Sequence, residues 1–338
     1  MEELKEQYKT FDIVISGYGE AKEETVTGYR LDVTGKMRKL WKAGVEQASF
    51  VCHWQDYLFT VTETDDDCIV YLLKKSEEGY SLLDQKKLEG GALCHITYSS
   101  KHQILYGACY STGTIFAVRL EEDHFGDVIY SEEQHSLSGK SLTRAHCVLL
   151  NANEDKLLTI NIALDEVICY KLPEGVPVFS ERLTLPEGVG PRHAIYSSDE
   201  TFLYVITEYS NEIFVFLTEG YKLLQRISTL PQGYKGASNC STLCMSTGGR
   251  FLYAANRGAD TISQFRVNSE GMLEWIKEYP CGGQHPRHMI ITNQNELLII
   301  CNQFSHQVTA YTLDAITGEL SHRVLEIPFN NPSGIVQV

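Results

Sequence analysis

Apolar and polar residues fall along this chain in short packets. Runs rich in Val, Ile, Leu, Tyr and Phe are separated by turns of Ser, Asp, Asn and Gly. Such packets predict short antiparallel strands joined in meanders. The stretch from Gly190 to Phe216, GPRHAIYSSDETFLYVITEYSNEIFVF, shows the pattern most clearly, with strands expected at Ala194–Tyr196, Phe202–Thr207 and Ile213–Phe216. In a hairpin the start of one strand lies beside the end of the next. Arg192 and His193 are therefore expected at the same sheet edge as Glu208, and an arginine, a histidine and a carboxylate at one strand end read as a site.

The middle strand of that stretch recurs. Phe202-Leu-Tyr-Val-Ile-Thr-Glu208 matches Phe251-Leu-Tyr-Ala-Ala-Asn-Arg257, Ile104-Leu-Tyr-Gly-Ala-Cys-Tyr110, Tyr57-Leu-Phe-Thr-Val-Thr-Glu63, Lys156-Leu-Leu-Thr-Ile-Asn-Ile162 and Glu296 to Gln303, with Asp12 to Tyr18 a looser match. Their last residues, Tyr18, Glu63, Tyr110, Ile162, Glu208, Arg257 and Gln303, are spaced by 45, 47, 52, 46, 49 and 46. A period of this length with several strands per repeat predicts an all-β fold, a seven-bladed β-propeller with four antiparallel strands per blade. Asn331 to Val338 resembles a first strand with nothing after it, and Ile13 to Ser16 a second strand with nothing before it. The C-terminal strand is thus expected to complete the N-terminal blade and close the ring without an open edge. Residues 1–338 then read as one propeller domain, with residues 1–10 a loose tail or a short helix.

Composition narrows the function. Hydrophobic content of 43% is ample for a core, and no apolar run approaches the roughly 18 residues of a membrane span. The charged start MEELKEQYKT lacks the apolar segment of a signal peptide, so a cytoplasmic location is expected. None of the ten cysteines forms a CxxC pair, and Cys52, Cys169 and Cys301 fall inside strand-like runs, as small buried hydrophobes in a reducing compartment would. Cys240 and Cys244 lack companions at zinc spacing. The acidic run Thr64-Asp-Asp-Asp67 lacks spaced calcium ligands and reads as a solvated turn. No metal and no cofactor are expected. The net charge of −15, from 44 acidic and 29 basic residues, argues against nucleic-acid and anionic-membrane partners. Arginines gathered near the axis of so acidic a ring point to a small anionic ligand.

The repeat places further residues on the same rim. Gly90-Gly-Ala-Leu-Cys-His95 is expected to open an inner strand and bring His95 beside Tyr110, and Gln47-Ala-Ser49 to begin another. In Thr143-Arg-Ala-His146 the histidine takes the position that Arg192 takes one repeat later. Pro286-Arg287-His288 repeats Pro191-Arg192-His193, the proline setting a fixed turn into the strand. Glu63 and Gln303 end second strands as Glu208 and Arg257 do. For Arg287 and His288 a structural role, binding main-chain carbonyls between blades, is the alternative.

GPRHAIYSSDETFLYVITE, GRFLYAANRGADTISQF and GGQHPRHMIITNQNELLIICNQFSHQVTAYTLDAITGEL together resemble the seven-bladed lactonase family, which includes cofactor-independent bacterial 6-phosphogluconolactonases and fungal carboxymuconate-lactonizing enzymes. The resemblance is strong over 140–319 and in register over 12–139. It implies catalytic roles for His146, Arg192, Glu208 and Arg257, with His193, Arg287, His288, Gln303, Glu63 and His95 as substrate contacts. Three departures concern the binding rim: Asn161-Ile-Ala163 for Asp-Leu-Gly, Ala108-Cys-Tyr110 for Ala-Asn-Tyr, and Ser241-Thr-Leu-Cys244 for Ala-Glu-Ile-His. In the family's His-x-His motif the first histidine is Arg144 here.

The implied chemistry is hydrolysis of 6-phospho-D-glucono-1,5-lactone in the pentose phosphate pathway. An arginine would steady the oxyanion, and His146, with an ordinary pKa of about 6.5, would take the proton from water. Glu208 would orient the histidine or pair with an arginine, and Arg257 or Arg287 would hold the phosphate. A related lactonase or lactonizing enzyme for another anionic lactone, and a non-catalytic binding propeller, are the competing readings. The expected partner is a small anionic sugar lactone, the expected assembly a monomer or weak homodimer.

Overall fold

In the computed structural model, which describes residues 9–136 and 139–338, the strands form seven four-stranded antiparallel sheets. Blade 1 is built from Pro332–Gln337, Thr10–Gly17, Val26–Asp32 and Met37–Ala43, in that order from the axis outward. Blades 2 to 7 follow in chain order, with inner strands Val51–Trp54, Leu93–Ser99, Ala145–Leu150, Pro191–Tyr196, Asn239–Met245 and Pro286–Ile291. The C-terminal strand therefore closes the ring as the sequence predicts, with Ile335 opposite Ile15. It packs against the inner strands of both blade 7 and blade 2. The expectation of a tail or short helix falls mostly on residues 1–8, outside the described residues; Thr10 already begins a strand. Blade 2 is the one whose inner strand starts late, at Val51 rather than Gln47, although Gln47 still accepts the Glu63 amide at 3.1 Å.

Second strands read as nearly continuous apolar runs because both of their faces are buried. In blade 1, Ile13 and Ile15 pack toward blade 7 while Val14 packs toward blade 2. In blade 5, Leu203 and Val205 face blade 4 while Tyr204 and Ile206 face blade 6. One apolar cluster fills each of the seven junctions between blades. The core is thus a ring of interfaces rather than one central mass, and the axis is left to polar groups.

The recurring Φ-Leu-Tyr motif is explained at these junctions. Tyr106, Tyr204 and Tyr253 are fully buried, and each donates its hydroxyl to a glycine carbonyl in the next blade: Gly175 at 2.6 Å, Gly271 at 3.0 Å, and Gly318. The first residue of the same motif covers that glycine. A Cβ on Gly271 would lie 2.4 Å from Phe202, and one on Gly318 would lie 2.5 Å from Phe251. Both glycines also hold positive φ, +74° and +69°, which favours a residue without Cβ. The motif is a joint between consecutive blades.

The mouth of the ring is strained in a repeated way. The residue just before the inner strand accepts the amide of the residue ending the second strand, as Ala92 does for Tyr110 (2.8 Å), Gly190 for Glu208 (2.6 Å), His285 for Gln303 (3.1 Å) and Asn331 for Tyr18 (3.1 Å). These four acceptors have φ of +52°, +65°, +61° and +41°. Three of them are not glycine, a conformation that persists only where surrounding contacts enforce it. The reversal is followed at once by a bulge in the inner strand, and the bulge builds the site.

Candidate active site

Each bulge turns one extra inner-strand residue out of the ladder. The register passes from Ala145 opposite Asn161 to Cys147 opposite Ile160, which leaves His146 as the extra residue. By the same count Arg192, Arg287, Cys94 and Ser333 are extra in their blades, and Ser241–Thr242 stand opposite Ala255. His146 and Arg192 therefore occupy equivalent positions, as the repeat predicts. His95 does not share that position. Cys94 takes it, and His95 pairs with Ala108 one step further along, in line with His193 and His288.

The bulge residues and the second-strand ends form two charged groups. Glu208 Oε2 lies 3.0 Å from Arg192 Nε and 2.8 Å from Arg257 Nη2. Arg192 also donates to the Ser241 carbonyl of the next blade, and its Nη1 lies 3.3 Å from His193 Nε2. Arg257 donates to the carbonyls of Cys240 (2.9 Å) and Asn239 (3.3 Å). Opposite them, Arg287 Nη2 donates to the Tyr18 hydroxyl at 2.6 Å, and that hydroxyl donates to Glu63 at 2.7 Å. Glu208 thus pairs with arginines rather than orienting His146, and Arg257 and Arg287 each stand against a carboxylate.

Burial sets the protonation states. Arg192 is 2% exposed. Burial, with Arg257 and Arg287 nearby, pushes it down to about 9, so it stays cationic at neutral pH. For Glu208 burial acts upward, but Arg192 and Arg257 outweigh it and hold the carboxyl below its usual range. His146 is pushed well below the ordinary histidine value by burial and by Arg192 and Arg287. The expected value of about 6.5 does not hold for it; the ring is neutral across the neutral range and is a weaker base than an ordinary histidine. Its Nδ1 is buried without a hydrogen-bond partner among the described residues, as are the hydroxyls of Ser49 and Ser333, the Gln303 Oε1 and Arg192 Nε, whose approach to Glu208 is an ion-pair contact without hydrogen-bond alignment. Buried polar groups in folded proteins are nearly always paired, and unpaired ones mark places where function has claims.

The other histidines are already engaged. The Nδ1 of His95 accepts the Val148 amide at 3.4 Å and that of His288 accepts the Ile335 amide at 3.3 Å, while His193 Nδ1 lies 3.2 Å from the Thr242 hydroxyl. Each bond reaches the inner strand of the following blade. The structural alternative of binding main-chain carbonyls between blades fits neither residue as stated: the His288 ring bridges to the next blade by accepting a main-chain amide, and Arg287 binds side chains and, among the described residues, no main-chain carbonyl. Ring centres of His95 and His146 both stand 5.2 Å from that of His193. Among the described residues no three His, Cys, Asp or Glu side chains converge so as to hold a metal ion. Sequence reasoning passed over Tyr18, whose place at a strand end was recorded but whose hydroxyl links Arg287 to Glu63.

Comparison with known proteins agrees with this architecture. A family model described as lactonase, 7-bladed beta-propeller, matches residues 12–337. The chain is 26% identical over 275 residues to a 6-phosphogluconolactonase of Bacillus subtilis, covering 78% of this chain and 79% of that protein. It is 29% identical over 290 residues to an uncharacterized protein of Staphylococcus epidermidis, covering 82% and 84%. A periplasmic gluconolactonase of Pseudomonas aeruginosa superposes with a TM-score of 0.91 at 24% identity, covering 98% and 99% of the two chains, which is a likeness of fold. The chain belongs to the seven-bladed β-propeller lactonase family.

Proposed function

We propose that the protein hydrolyses 6-phospho-D-glucono-1,5-lactone to 6-phosphogluconate, a step of the pentose phosphate pathway in the cytoplasm. The observation that carries the reading is the His146 imidazole, buried, neutral and unpaired at Nδ1 beside clamped arginines. Water attacks C1 of the lactone and gives its proton to His146. The oxyanion that develops is met by Arg192 and Arg257, whose positions Glu208 and the carbonyls of residues 239–241 fix before substrate arrives. Preorganised donors of this kind typically contribute about 10²–10³ each in rate. The C1–ring-oxygen bond then breaks, and the imidazolium returns the proton to the departing oxygen. Charge balance in the channel supports an anionic substrate: Arg192, Arg257 and Arg287 outnumber Glu63 and Glu208 on a chain of net charge −15. No partner chain is required for this chemistry, and the protein acts as a monomer or weak homodimer.

The test is hydrolysis of freshly generated 6-phosphogluconolactone by wild type and Arg192→Ala, read as the rate above spontaneous opening. Clear enhancement, lost in the variant, is the expected result. No enhancement by the wild-type protein overturns the assignment and leaves another anionic lactone as substrate.

A further inference from the structure

The three arginines nearest the axis each sit against a carboxylate, Arg192 and Arg257 against Glu208 and Arg287 against Glu63, so part of their charge is already compensated. Arg144 is a cation of the same mouth without such a carboxylate among the described residues. It stands two residues before His146 and is half-buried at the mouth of blade 4. Its backbone is held on both sides: the amide donates to Asn161 Oδ1 at 2.9 Å, and the carbonyl accepts the Ile162 amide at 3.0 Å. The guanidinium lies 4.9 Å above the ring of Tyr110, which ends the second strand of blade 3. Among the described residues it makes no ion pair and no side-chain hydrogen bond. Tyr110 in turn meets the His146 ring edge-on at 5.9 Å between centres. Guanidinium, phenol ring and unpaired imidazole thus form one continuous wall from the mouth into the channel.

We propose that Arg144, held on the face of Tyr110, binds the phosphate monoester at the far end of the sugar lactone from the reacting carbonyl, and so decides for phosphorylated over neutral lactones. This rests on the lactonase reading above and names the group that sets its substrate class. A guanidinium held over an aromatic ring without other partners has its donors free for two parallel bonds to phosphate oxygens. Stacking also limits the side-chain freedom lost on binding.

The experiment measures binding of 6-phosphogluconate and of gluconate, by calorimetry, to wild type, Arg144→Gln, Arg144→Lys and Tyr110→Leu. Loss of a charge-assisted pair predicts about 10–100-fold weaker binding of 6-phosphogluconate by Arg144→Gln. Gluconate affinity stays within about twofold on the same argument, since it offers Arg144 no phosphate. Arg144→Lys keeps the charge without the fork and falls between, and Tyr110→Leu weakens only the phosphorylated ligand. Equal weakening of both ligands, no weakening of either, or a wild type that binds both alike overturns the proposal. Turnover separates the two readings. A protein that hydrolyses lactones but is indifferent to Arg144→Gln retains the lactonase function and loses this site. One that hydrolyses none yet binds 6-phosphogluconate through Arg144 does the reverse.

Discussion

Arg192 and Arg257, from adjacent blades, share a single oxygen of Glu208, at 3.0 and 2.8 Å. The carboxylate therefore acts as a spacer between two like charges that would otherwise separate. Removing it leaves two buried cations facing each other, a change that typically costs about 3–5 kcal/mol. Glu208→Gln is expected to lower the unfolding midpoint and to cut kcat/KM about 10²–10³-fold by misplacing both guanidiniums. Arg192→Ala and Arg257→Ala together should cost more stability than the sum of the single losses, because after either single loss Glu208 still pairs with the remaining arginine and only the double loss leaves the buried carboxylate alone. Strict additivity in a double-mutant cycle would contradict the shared-oxygen arrangement.

His146 titrates far below the ordinary histidine range, so its proton-accepting form is retained as the solution is acidified. The acid limb of kcat/KM is expected well below pH 6.5, and His146→Ala should lower kcat about 10²–10⁴-fold. A pH–rate profile of the wild type with a half-point at 6.5 would count against this histidine as the base.

Several buried histidines make folding itself sensitive to acid. Burial, together with His288 and Arg192, pushes His95 down to about 3, and burial with Arg192 and Arg287 pushes His288 down to about 4. The unfolded chain takes up these protons near pH 6.5, whereas the native ring does so only around 3 to 4. Their contribution to stability is whole above about pH 6.5 and is lost as the pH falls toward those values, at up to about 1.4 kcal/mol per histidine per pH unit. Urea unfolding at stepped pH should show this slope. His288→Asn, whose side-chain oxygen can still accept the Ile335 amide, should make it shallower by one proton.

The tyrosine–glycine joint predicts a stability effect without a catalytic one. Tyr204→Phe leaves the buried Gly271 carbonyl unpaired and should cost about 1–3 kcal/mol. Gly271→Ala places a Cβ 2.4 Å from Phe202 at a φ of +74° and should cost at least as much. Chemical denaturation reads both; unchanged midpoints would mean the joint is slack.

Much of this was legible from the chain. The seven second-strand ends are the least disguised feature because both faces of each strand are buried and the apolar run ends abruptly at the mouth. Ring closure followed from Asn331–Val338 and Ile13–Ser16 each lacking a neighbour. His146 and Arg192 were correctly paired by position, since Thr143-Arg-Ala-His146 and Gly190-Pro-Arg192 end in the same turn. His95 was placed one residue too near the rim because a bulge shifts the register, and no residue type announces a bulge when Leu93 and Cys94 are both apolar. What each arginine touches was equally hidden. Whether Arg257 is free or clamped depends on carbonyls of residues 239 and 240, which every sequence supplies alike.

Ring closure by Pro332–Gln337 has a consequence for how the protein is made. Ser333, the bulge residue of blade 1, faces the axis, and Ile335 donates its amide to His288 across the seam. The polar ring at the axis is therefore incomplete until this strand has left the ribosome. A nascent chain carrying six and three-quarter blades has every arginine of the site and still lacks the strand that holds blades 7 and 2 at their native spacing. Activity should then appear only after synthesis has passed residue 337, when the seam between blades 7 and 2 can be filled.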